Sequence, residues 1–181
     1  MGDSERIIIL EDMSKGGICV ELGVWRGEFA QHILSILNPQ KLYLVDPWQS
    51  QSDEQYNRAW YSCSQDEINE IHGEVLKRFE KEIETGQVEV CPITSLKASS
   101  LFEDEYFDFI YVDGNHLYDF VKNDLKLYFP KLKSGGIIMG DDYNIEGWWD
   151  NGVKRAVDEF DHSDLADKTV VKDQFFLKKA E

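Results

Sequence analysis

Basic residues are scarce in this chain: 19 lysines and arginines face 35 aspartates and glutamates in 181 residues, a formal net charge of −16. Such a polyanion is repelled by phosphate backbones and anionic bilayers, so neither nucleic acid nor membrane is an expected partner. No apolar run approaches the length of a membrane span, and Met1 to Arg6 is too polar for a signal peptide. The three cysteines (Cys19, Cys63, Cys91) are widely spaced and odd in number, unlike a disulfide framework. Cys19 and Cys91 sit in apolar runs, where a buried free thiol is expected, and a reducing, cytoplasmic setting follows. Internal repeats and low-complexity segments are absent. What remains is an ordinary apolar fraction of 42%, enough for one domain over residues 1–181.

The most informative stretch is Ile18-Cys-Val-Glu-Leu-Gly-Val-Trp-Arg-Gly27. Ile18 to Leu22 read as a short buried strand, and Phe29, Ile33, Leu34 and Leu37 recur at helical spacing after it. Gly23 and Gly27 fall in the turn between, where the absent Cβ lets a ligand approach the backbone. A strand, a glycine turn and a helix make the first half of a nucleotide-type βαβ unit. A phosphate-binding P-loop is excluded, since no Gly-Lys-Ser/Thr follows. A dinucleotide fingerprint is disfavoured by Val24-Trp25-Arg26 in the crowded middle of the turn. An adenosyl ligand without pyrophosphate fits, with Glu21 at the strand end holding the ammonium of an amino-acid tail. The alternative is that the two glycines serve only a tight strand-to-helix crossing.

Lys41 to Asp46 reads as the second strand, with Asp46 at the edge where a carboxylate accepts ribose hydroxyls. Trp48 follows Pro47 and either lies against adenine or joins the core. Residues 49–66 are polar with Tyr56, Trp60 and Tyr61 interspersed, suiting a lid, an acceptor-pocket wall, a local hydrophobic cluster or a subunit contact. Ile7 to Leu10 fit a strand or a helix equally. An amphipathic helix is expected from Asp66 to Glu84, then a third strand at Val88 to Cys91.

Phe107 to Val112 has the near-continuous apolar pattern of a central strand and delivers Asp113 to the carboxyl edge beside the glycine turn. A helix over about Leu117 to Phe129 should bury Phe120, Val121, Leu125 and Phe129. Pro130 and Gly135-Gly136 then turn the chain into a strand over Ile137 to Gly140, with Asp141-Asp142-Tyr143 at its tip. Asp113, Asp141 and Asp142 would repel one another without a positive charge between them, which a hard divalent cation such as Mg²⁺ supplies. Read individually, Asp113 also suits a helix N-terminus and Asp141-Asp142 an Asx turn. Trp148-Trp149 either wall an acceptor or pack on another copy of the chain, leaving a homo-oligomer open. A short helix over Val153 to Phe160 and a hairpin over Thr169 to Val171 and Gln174 to Leu177 complete an α/β, doubly wound, mostly parallel seven-stranded Rossmann-like sheet.

Glu21-x-Gly23-x-x-x-Gly27, Leu42-Tyr-Leu-Val-Asp46 and Phe107-Asp-Phe-Ile-Tyr-Val-Asp113 together resemble class I S-adenosylmethionine (SAM) dependent methyltransferases, from roughly Gly17 to Lys178. Val112-Asp-Gly-Asn-His-x-Tyr118, Asp124-Leu, Leu132-Lys-x-Gly-Gly-Ile-Ile138 and Gly140-Asp-Asp-Tyr143 are similar to the macrolide-sugar O-methyltransferases. The metal residues also resemble those of the catechol O-methyltransferases. The resemblance implies SAM held by Glu21, Gly23, Gly27, Asp46, Trp48, Ser95 and Asp113, and Mg²⁺ on Asp113, Asp141 and Asp142. It places His116 where the catechol group carries its lysine base, and Asp141 where the macrolide-sugar enzymes often carry histidine. The implied activity is methyl transfer to a small-molecule hydroxyl, a sugar or aromatic diol, with Asp113 and His116 as catalytic groups. A SAM-binding module without catalysis, acting as a subunit partner, is the alternative; a nicotinamide oxidoreductase is disfavoured by the missing pyrophosphate glycine.

Overall fold

A computed structural model describes residues 3–50 and 62–181, so Tyr56, Trp60 and Tyr61 of the polar insertion lie outside the described residues. Seven strands, β1 (Ile18–Leu22), β2 (Lys41–Val45), β3 (Val88–Cys91), β4 (Phe107–Val112), β5 (Leu132–Gly140), β6 (Leu165–Val171) and β7 (Gln174–Lys179), form one sheet in the order β3-β2-β1-β4-β5-β7-β6. The first five are parallel, and β7 runs antiparallel to both β5 and β6. This is the expected doubly wound, Rossmann-like sheet with a C-terminal antiparallel hairpin.

Strand alternation divides the core into two layers. Val20, Leu22, Ile110 and Val112 face α6 (Tyr118–Tyr128) and α7 (Gly152–Glu159), which contribute Val121, Leu125, Tyr128, Val153 and Val157. Cys19, Leu42, Leu44, Phe109 and Tyr111 face the other way, onto Leu10, Phe29, Ile33, Leu37, Ile68, Ile71 and Val75. Those residues come from α1 (Asp3–Glu11), α2 (Glu28–His32) with its π-type continuation over Ile33–Leu37, and α3 (Gln65–Arg78). A capping box between Ser64 and Glu67 starts α3 by satisfying backbone donors at both positions. Cys19 and Cys91 are buried free thiols, as expected.

One local alternative is decided and three expectations are corrected. Ile7 to Leu10 belong to a helix, because Leu10 docks fully buried in the second layer. The helix expected over 66–84 breaks at Phe79 (φ −107°) into α3 and α4 (Glu80–Glu84), since the Phe79 ring turns inward and is 1% exposed. Phe120 is 49% exposed rather than buried: the inward stripe of α6 runs through Val121, Asp124, Leu125 and Tyr128. Gly135-Gly136 lie inside β5 rather than before it, at a register irregularity opposite Phe107 and Phe109.

Candidate active site

The parallel strands end on one edge of the sheet, and a cavity of about 340 Å³ opens there. Its wall takes Glu21 and Gly23 from the β1 tip, Asp46 and Trp48 from beyond β2, Ser95 from the start of α5 (Ser95–Ala98), and Asp113 and His116 from beyond β4. This is the crevice where open α/β sheets take ligands. Gly27 is not among the lining residues. Its φ of +72° and its packing, with a built Cβ only 2.8 Å from the Phe79 ring, account for the glycine locally. Gly23 is held more stringently, because at φ +88° a Cβ would lie 2.2 Å from the carbonyl oxygen of Asp113. The glycine therefore lets the β1 and β4 tips touch.

Glu21 is 1% exposed and its Oε2 has no hydrogen-bond partner among the described residues. Burial pushes its carboxyl well above the ordinary value, the nearby Asp113 adds to this, and Arg6 works against it. A buried acid with an unused oxygen on a cavity wall can receive a cationic or donor group. Asp46 organises the turn instead of standing free: Oδ2 accepts from the backbone N–H groups of Val24 and Trp25 (3.0 Å each), and Oδ1 from that of Trp48 (2.8 Å). Trp48 is both core and wall; its ring is stacked on His72 and its indole N–H donates to the Trp25 carbonyl (2.9 Å). Ser95 donates to Asp124 (2.6 Å), whose carboxyl burial pushes up to about 6.

The acids at the β4 and β5 tips are arranged around two protein cations. Arg6 reaches in from α1 and its Nη1 lies 2.9 Å from Asp141 Oδ2, 3.2 Å from Asp113 Oδ2 and 3.3 Å from the Tyr111 hydroxyl. Its guanidinium also sits 4.9 Å above the Phe29 ring. Burial works against the charge on Arg6, but Tyr111, Asp113 and Asp141 outweigh it and raise its pKa. Asp141 also accepts from the Gln174 side chain and the Asp142 backbone N–H. Burial, reinforced by Asp113, still pushes the Asp141 carboxyl up to about 6. His116 Nε2 lies 2.7 Å from Asp142 Oδ2 and 3.7 Å from Asp113 Oδ1, with the Trp149 ring 4.8 Å from its own. Burial disfavours the imidazolium, yet Asp113 and Asp142 prevail and lift it to about 9.

Asp113, His116 and Asp142 each offer a ligand atom within 4.8 Å of the others. Asp141, expected in the cation set, is turned away onto Arg6 and Gln174. Two carboxylates and an imidazole in such a group fit a divalent cation, the carboxylates favouring a hard one. Sequence reasoning missed Arg6, Asp124 and Gln174. Asp124 was open to detection as an acid on the apolar stripe of α6, whereas nothing local marks Arg6 as reaching two strand tips.

A family profile described as a methyltransferase domain matches residues 20–143. No curated protein matches the chain. Among solved structures, the O-methyltransferase NovP is similar at 21% identity and TM-score 0.68, covering 98% of this chain and 80% of that one. An O-methyltransferase from Bacillus cereus in complex with SAH is similar at 13% identity and TM-score 0.64, covering 100% and 82%. An rRNA methylase from Streptococcus thermophilus, at 12% identity and TM-score 0.64, covers 98% and 95%.

Proposed function

This chain belongs to the methyltransferase domain family as a SAM-dependent methyltransferase, and from that premise we propose that it methylates a hydroxyl of a small-molecule diol with the help of Mg²⁺. The observation that carries the proposal is the convergence of Asp113, His116 and Asp142, the first two of them on the wall of the cavity that also presents Glu21 and Asp46. Bound SAM supplies an electrophilic methyl group. Glu21 pairs with the ammonium of its amino-acid tail, and the Gly23 turn, fixed by Asp46, shapes the backbone against it. Asp46 and Trp48 would hold the ribose and adenine, with Ser95 also on the cavity wall and Gly27 setting the entry of α2.

Asp113 and Asp142 would hold Mg²⁺, with Asp141 turned onto Arg6 and Gln174, and the ion would supply Lewis-acid lowering of the acceptor hydroxyl pKa. His116 Nε2 takes the acceptor proton, and it does so as neutral imidazole. Asp113 and Asp142 suppress that form until their own charge is engaged elsewhere. Most of the acceleration then comes from alignment of the acceptor oxygen and charge neutralisation in a half-enclosed site. The net charge of −16 favours small acceptors over RNA.

Titration calorimetry with SAM, then methyl transfer to catechols and sugar diols with and without Mg²⁺, tests this reading. Asp113→Asn should abolish turnover while SAM still binds. Turnover that ignores both EDTA and the substitution would sink the metal assignment.

A further inference from the structure

Arg6 stands where a cation belongs. Its single Nη1 bridges the carboxylates of Asp113 and Asp141, one from each of two neighbouring strand tips. Those tips come no closer to a neutral solution by themselves, since Asp113, Asp141 and Asp142 all face one edge. The guanidinium is delivered by a helix with an uneven anchorage. Leu10, one turn further along the same face of α1, is fully buried, whereas Ile8 on the other face is 59% exposed. Arg6 and Leu10 thus dock one face of α1, and loss of the Arg6 ion pairs would leave Leu10 to hold that face.

We propose that Arg6 is the resident counter-charge of the cation-free site, so that α1 and a divalent cation compete for Asp113 and Asp141. The proposal rests on the metal reading given above and adds to it a role for α1. With Arg6 in place, Asp141 is held away from the Asp113–His116–Asp142 group. Arrival of a divalent cation at Asp113 removes one of the two carboxylates that hold Arg6, and Asp141 becomes available as a further oxygen ligand. The same movement takes the guanidinium from the cavity wall, which it lines, and widens the cavity there. Arg6 is thus a positioning residue: it sets which carboxylates are free.

The test uses Mn²⁺ as the probe, with free ion counted by electron paramagnetic resonance, on the whole chain and its Arg6→Gln, Arg6→Lys and Asp113→Asn variants. Arg6→Gln should bind Mn²⁺ at least about tenfold more tightly than the parent, the scale of one charge-assisted contact no longer competing. Arg6→Lys should fall between them. In the unsubstituted protein, saturating Mn²⁺ should speed amide hydrogen exchange over residues 3–11, a measurement that needs no variant to fold. Equal affinity in parent and Arg6→Gln, lost in Asp113→Asn, would overturn the competition and leave the metal reading standing. Mn²⁺ binding that leaves exchange over residues 3–11 unchanged would overturn it in the same way. Failure of parent and Arg6→Gln alike to bind Mn²⁺ would remove the metal reading and the competition together.

Discussion

Replacing Glu21 by glutamine should move stability and cofactor affinity in opposite directions. The Glu21 carboxyl is 1% exposed and one of its oxygens is unpartnered. In the unfolded chain it ionises near the ordinary value of 4.5, while burial and Asp113 raise it well above that in the folded protein. Between those two values the folded state keeps a proton that the unfolded state has lost, so stability falls as pH rises. At about 1.36 kcal/mol per pH unit, the loss accumulated by pH 7 cannot exceed about 3.4 kcal/mol. Glu21→Gln keeps the shape and removes the titration. At pH 7 the ligand-free variant should then melt about 2–10 °C higher than the parent. The gap should close as pH is lowered towards 4.5. SAM binding should weaken by about 30- to 1,000-fold, the equivalent of about 2–4 kcal/mol for a buried charge pair reduced to a neutral contact. Scanning calorimetry across pH and titration with SAM read the two effects separately. A variant that melts lower at pH 7, or binds SAM as the parent does, would refute the assignment of Glu21 as a desolvated receptor for the ammonium.

Gly23→Ala should destabilise the fold by about 2–4 kcal/mol, combining a left-handed backbone strain with a clash against the Asp113 carbonyl; urea denaturation measures it, and loss of SAM binding should accompany it. His116 has a folded pKa raised to about 9, with burial opposing the charge and Asp113 and Asp142 prevailing. Its pairing therefore stabilises the protein fully below pH 6.5 and fades as pH rises through about 9. In EDTA, a His116→Asn variant should flatten that part of the stability profile, and an unchanged slope would count against the Asp113–His116–Asp142 geometry. Asp124→Asn should leave Ser95 a neutral acceptor and remove a buried acid that titrates near 6. Its melting temperature should exceed the parent's by a margin that grows from pH 3.8 to about 6 and holds constant above, because the unfolded carboxyl ionises first.

The α/β class and the strand tips were legible in sequence because parallel strands buried on both faces read as apolar runs. Phe107 to Val112 announces itself this way, and the acids that end such runs must fall on one edge. Glu21, Asp46 and Asp113 could thus be placed at one cavity without coordinates. Phe120 could not: an aromatic residue at helical spacing looks inward, and only the rotation of α6 against the sheet put Asp124 there instead. Gly27 resembled a ligand-facing glycine, yet Phe79, more than fifty positions away, accounts for its missing side chain by packing. The largest gap concerns charge. Sequence shows three acids at two tips and demands a cation, but which cation lies there depends on contacts far apart along the chain. Arg6 is 107 residues from Asp113 and 135 from Asp141, and no local pattern encodes where α1 docks. The sequence by itself determined the sheet, its ligand edge and the acids on it, since periodicity and strand ends are local properties. Only the tertiary structure decided that Arg6 and His116 neutralise those acids, since counter-charge in a buried site is a matter of distance in space.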